Sequence, residues 1–101
     1  MDTYRRIVIG STAQLPVRLR DAESLSLETL STYTVTVTIA GPSGVVVDAG
    51  VCETAGTLAW YTWATAGVPA GEYRVQFTFT KDGVIDIEPA RAIPVTLVAS
   101  I

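Results

Sequence analysis

From Gly71 to Thr80 the chain reads G E Y R V Q F T F T, with Tyr73, Val75, Phe77 and Phe79 alternating against Arg74, Gln76, Thr78 and Thr80. A period of two belongs to a strand with one dry face and one wet face, so this stretch is the expected central strand. Lys81, Asp82 and Gly83 are turn formers, and Ile85 and Ile87 behind them alternate with Asp86 and Glu88, which predicts a hairpin. Matching apolar to apolar across it selects a three-residue loop, Lys81 to Gly83, with Phe79 facing Ile85 and Phe77 facing Ile87. A two-residue loop of Asp82 and Gly83 would set Phe79 against Asp86 and mix the faces.

The same alternation recurs along the chain. Ile7 to Ile9 is a short β-branched run, expected at a sheet edge, and Leu15, Val17 and Leu19 alternate with Pro16, Arg18 and Arg20. Pro16 cannot donate to a ladder and marks an edge or a bulge. Asp21 to Ser31 carries Leu25, Leu27 and Leu30 at a spacing open to a helical turn or a brief strand, and is read as an ordered loop packing its leucines on the core. Tyr33, Val35, Val37 and Ile39 alternate with Thr32, Thr34, Thr36 and Thr38, the pattern of a strand whose wet face is built from threonine. Gly41 to Gly44 form a turn, Val45 to Val47 return, and Asp48 to Gly56 reads as a connection. Leu58, Trp60 and Thr62 then alternate with Thr57, Ala59, Tyr61 and Trp63, and Ile93, Val95 and Leu97 form a closing strand with an edge or kink at Pro94.

Seven or eight short strands with turns between them and no helical period predict an all-β fold, a β-sandwich of antiparallel strands, with a small barrel as the alternative. A chain of 101 residues holds this as one domain, 1–101. The charged share of 17% is low against a usual ~25%, as on surfaces that meet other proteins. A net charge of -3 without a basic stripe argues against nucleic acid and against an electrostatic membrane anchor. No run approaches the ~20 apolar residues of a membrane-spanning helix, nor is there a signal peptide, so synthesis in a cytoplasm is expected.

The segment Ala70 to Val75, A G E Y R V, resembles the tyrosine corner of immunoglobulin-like domains, in which a tyrosine near the start of strand F hydrogen-bonds back across the corner. Val75 stands where an antibody domain has its second cysteine, so the likeness implies the sandwich and not the disulfide. A broader similarity of element order covers most of the chain: a strand ending in Gly10, Leu15 to Asp21, a leucine-containing loop, the Thr/Val strand with Gly41 to Gly44, Ala55 to Trp60, Ala70 to Val75, and Lys81 to Gly83 before a proline-bearing last strand. It resembles the small immunoglobulin-like domains of tailed-bacteriophage virion proteins of the baseplate, neck, tail and capsid surface. That resemblance implies a structural adaptor or decoration module in a virion, made in the host cytoplasm, in contact with other virion proteins and with further copies of itself.

The residues offer little chemistry. Histidine is absent, which removes every imidazole-based triad and the commonest metal ligand. Cys52, the lone cysteine, has no histidine to activate it and Glu53 beside it, and reads as structural. Asp82, Asp86 and Glu88 do not follow a calcium-loop spacing and read as solvated carboxylates near Arg74. No enzyme, cofactor or metal is expected. Trp60, Tyr61 and Trp63 are the notable cluster: with Trp60 joining Leu58 in the core, Tyr61 and Trp63 share the opposite face as a protein-interface patch. Trp63 folding over the open end of the sandwich is the competing reading. The alternative function is a carbohydrate- or receptor-binding adhesion module using that Tyr/Trp patch.

Overall fold

The computed structural model describes residues 5–20 and 26–99. Within them the chain is all-β, with eight strands, one short 3-10 turn at Leu30–Thr32 and no α-helix. The strands are β1 (Arg5–Val8), β2 (Thr12–Val17), β3 (Thr34–Gly41), β4 (Gly44–Val51), β5 (Glu53–Ala55), β6 (Leu58–Ala64), β7 (Gly71–Lys81) and β8 (Val84–Val98). They form a five-stranded sheet in the order β1-β8-β7-β3-β4 and a three-stranded sheet in the order β2-β6-β5. The expectation of uniformly antiparallel strands needs one correction, because β1 runs parallel to β8, from Arg5 opposite Val95 to Val8 opposite Val98. Parallel partners need a long connection, and the remaining strands supply it.

The inner faces follow the alternation of the sequence. Tyr73, Val75, Phe77 and Phe79 of β7 are buried, as are Val35, Val37 and Ile39 of β3 and Val95 and Leu97 of β8. Ala13 and Leu15 of β2 and Ala59 and Trp63 of β6 join them from the second sheet in one core. Pro16 lies in β2, an edge strand, where a missing N–H is tolerated. Pro94 lies one residue before the stretch of β8 that pairs with β1 among the described residues.

The hairpin differs from the expected one. Lys81 pairs with Val84, so the loop is the two residues Asp82 and Gly83, and Phe79 does sit opposite Asp86 and Phe77 opposite Glu88. Asp82 and Gly83 both have positive φ, 51° and 80°, the backbone that a two-residue turn matching the strand twist demands and that Asp-Gly supplies. The face mismatch is then repaired inside β8. Val75 pairs with Ile93 and Phe77 with Glu88, so Gln76 alone spans four residues of the opposite strand. The three surplus residues invert the alternation, which turns Ile93, Val95 and Leu97 inward while leaving Ile85 and Ile87 on the outer face. Asp86 and Glu88 correspondingly lie on the side of Phe77 and Phe79 and not on the wet face, but at its open margin, where Asp86 is exposed and Glu88 half-buried.

Two further differences concern the middle of the chain. Asp48 to Gly56 is not a connection: β4 continues to Val51, and Glu53–Ala55 forms β5 on the other sheet. Two register shifts let β4 follow β3 so far, one of them at Asp48 and Ala49, where Ala49 has a φ of 52°. Of the leucine-containing loop, Leu30 is fully buried and Leu27 half-buried, held by Glu28 N–H donating to Leu19 O and Leu30 N–H to Gly56 O. Leu25 lies outside the described residues.

Candidate functional site

The residues expected to form an interface, Tyr61 and Trp63, do share a face of β6, but it is the inner one. Trp63 is 3% exposed, Tyr61 is half-buried against the core, and Trp60 and Leu58 are the outward pair. The placement of Trp60 in the core is therefore corrected. Both parities of β6 carry large apolar residues, so alternation within the strand could not choose between them. The neighbouring strand chooses: Ala13, Leu15 and Val17 pair with Trp63, Tyr61 and Ala59, and directly opposed residues point the same way. Gly50 completes the fit, since a Cβ there would lie 2.8 Å from the Tyr61 ring.

Trp63 belongs instead to a closed aromatic end. Its ring meets Tyr73 edge-on at 5.6 Å, and the Tyr73 hydroxyl donates to Pro69 O at 2.6 Å, the backward bond expected of that tyrosine. Gly41 leaves space for the ring, because a Cβ would collide with it. Thr65, wholly buried, staples the adjacent chain crossings: its Oγ1 donates to Ser11 O at 2.7 Å and accepts from Gly10 N–H at 3.0 Å. No period or motif in Ala64-Thr65-Ala66-Gly67 distinguishes this threonine from a loop residue.

Among the described residues, two outward surfaces stand as candidate sites. On the five-stranded sheet, Ile87, Thr78, Thr36 and Val51 form one row across four strands, and Ile85, Thr80 and Thr34 form the next. Gln76 and Thr38 follow. None of these nine side chains is charged, and Val51, Ile85 and Ile87 are 77%, 61% and 52% exposed. Monomers scatter such residues singly, so a connected set is informative. Of the charged positions on this face, Asp48 stands across from Thr38 at the β4 bulge, and Arg6, Glu72 and Arg74 lie toward the opposite, β1 end.

On the three-stranded sheet, Gln14, Pro16, Leu58 and Trp60 line a shallow open groove of ≈ 510 Å³. Trp60 sits at its centre, on the middle strand, with Pro16 directly across on β2 and Glu53 directly across on β5. Gln14 faces Thr62 one step along.

Among the described residues, reactive groups do not assemble elsewhere. Burial pushes the Cys52 thiol up to about 11 from 9.0, so it stays protonated and a poor nucleophile at neutral pH. Among the described residues no three carboxylate, cysteine or histidine side chains come together to hold a metal ion, and no helix is long and apolar enough to cross a membrane. Compared with protein-family models, curated proteins and solved structures, the chain matches none of them.

Proposed function

We propose that this chain is a non-enzymatic structural module with an immunoglobulin-like sandwich fold, used in many copies in a tailed-phage particle at the neck, tail or capsid surface. The fold reading is supported by strand order. In immunoglobulin domains strands B, E and D form one sheet and C, F and G belong to the other. Here β2, β6 and β5 follow the first order, and β3, β7 and β8 the second, with β4 as the additional strand beyond C. Tyr73, at the start of β7 and bonded to Pro69 O, matches the tyrosine corner. The virion assignment draws on the resemblance of element order to phage domains.

The observation that carries the functional part is the uncharged face of Ile85, Ile87, Thr78, Thr80, Thr34, Thr36 and Val51. Its occupant is a second copy of the chain. A face without charge has no pattern with which to select an oppositely charged partner, and it meets itself without like-charge repulsion. The uncharged rows span four strands about 4.8 Å apart and Gln76 to Thr80 of β7, roughly 300 Å², the centre of an interface whose rim must supply the rest of the ~800 Å² per partner that a standard one needs.

Sedimentation over a concentration series is the test. The expected result is reversible self-association that Ile87→Lys and Val51→Lys each abolish while the circular dichroism stays unchanged. A tagged copy should enter purified particles, and the same substitutions should reduce its incorporation. A chain that stays monomeric at high concentration, with both variants incorporated normally, removes this reading.

A further inference from the structure

The groove on the three-stranded sheet has the makings of a ligand site, and we infer that it is a platform for a neutral oligosaccharide, with Trp60 as the stacking surface. The inference stands apart from the assembly role, since the groove lies on the other sheet from the uncharged face. A pyranose offers two unlike surfaces, an apolar face of C–H bonds and a rim of hydroxyls. A site for it needs an accessible aromatic ring with hydrogen-bonding groups beside it, not one or the other. Trp60 lines the groove, and the proline ring of Pro16 across the ladder together with Leu58 widens the apolar floor.

Polar groups flank that floor in register. Gln14 lines the same groove, opposite the exposed Thr62, and on the other flank the exposed Glu53 stands directly across from Trp60. An amide brings two donors and an acceptor, a hydroxyl brings both kinds, and a carboxylate accepts only. This mixture suits vicinal hydroxyls. Charge narrows the class: Glu53 beside the ring and a net charge of -3 repel uronic or sialic acid units, leaving neutral sugars and N-acetyl sugars. A proline-rich peptide would use the Trp60 and Pro16 surface as well, but would leave the exposed Thr62 and Glu53 without a role. The openness of the groove admits the middle of a chain, and binding through so little buried surface is weak, in the millimolar range.

The two tryptophans supply their own control. In a two-dimensional NMR spectrum of the amides and indoles, Trp60 and Trp63 give separate indole N–H signals, and Trp63 is buried against Tyr73. Cellohexaose, maltohexaose and chitohexaose are titrated in turn, with hexagalacturonate as the acidic counterpart and a polyproline peptide as the competing chemistry. The expected outcome is a saturable shift of the Trp60 signal with at least one neutral probe, no shift of Trp63, and none with hexagalacturonate. Trp60→Ala should weaken that binding at least about tenfold, while Trp60→Tyr, which keeps a stacking ring, retains it. Its signals also report whether the fold survives. The inference is overturned if no neutral probe moves Trp60, if binding persists in Trp60→Ala, or if only the peptide binds.

Discussion

The two ends of the β7–β8 ladder are built from the same strands yet held by different physics. At the Tyr73 end the ladder is roofed by the second sheet: Trp63 packs on Tyr73, Gly41 makes space for its ring, and Thr65 ties the Gly10–Ser11 turn to the chain leaving β6. At the hairpin end, among the described residues, β8 has β7 on one side only, and Val84, Ile85 and Ile87 stand in solvent. Burial dictates which residue faces inward where a second layer covers the strand. Where none does, the turn's backbone requirement dictates register instead, and hydrophobic residues are left outside for other uses.

That contrast can be broken by experiment, beginning with the largest expected effect. Trp63→Ala opens a cavity beneath Tyr73 and should cost about 3–5 kcal/mol of unfolding free energy in urea titrations. A loss no greater than that of a surface change would mean that the closed end is not the stability centre. Thr65→Val keeps the shape of the side chain but strands Gly10 N–H and takes from Ser11 O one of its two donors, the Thr65 backbone N–H remaining, and a loss of roughly 1–3 kcal/mol is expected from the same titration. Gly83→Ala probes the other end. Nothing lies within 4 Å of the added carbon, so only the strain at its φ of 80° counts, about 1 kcal/mol. If this change is as damaging as Trp63→Ala, the hairpin is integral to the core and the distinction between the two ends fails.

Much of the architecture was legible in residues. The dry faces of β3 and β7, the edge position of Pro16 and the backward bond of Tyr73 all follow from alternation, from a missing donor and from a short motif. The hairpin was legible in a different way from the one the face pattern suggested. Asp82-Gly83 is the stronger signal because positive φ at two successive positions is available to few residue pairs, whereas a face mismatch can be absorbed by surplus residues further along β8. The groove was missed because it depends on β2, β5 and β6 meeting, which no local pattern encodes. Thr65 was missed because its two partners lie more than fifty residues away in the chain.

What the sequence alone determined is the kind of element: extended strands with one wet and one dry side, since a period of two admits no helix. Which side of β6 is dry was left to the tertiary structure. Leu58 and Trp60 compete there with Ala59, Tyr61 and Trp63, and the decision falls to neighbours, the inward row of β2 and the bare backbone of Gly50. A strand rich in apolar residues on both sides carries no internal preference. The energy difference arises only when a second sheet arrives to cover one of them.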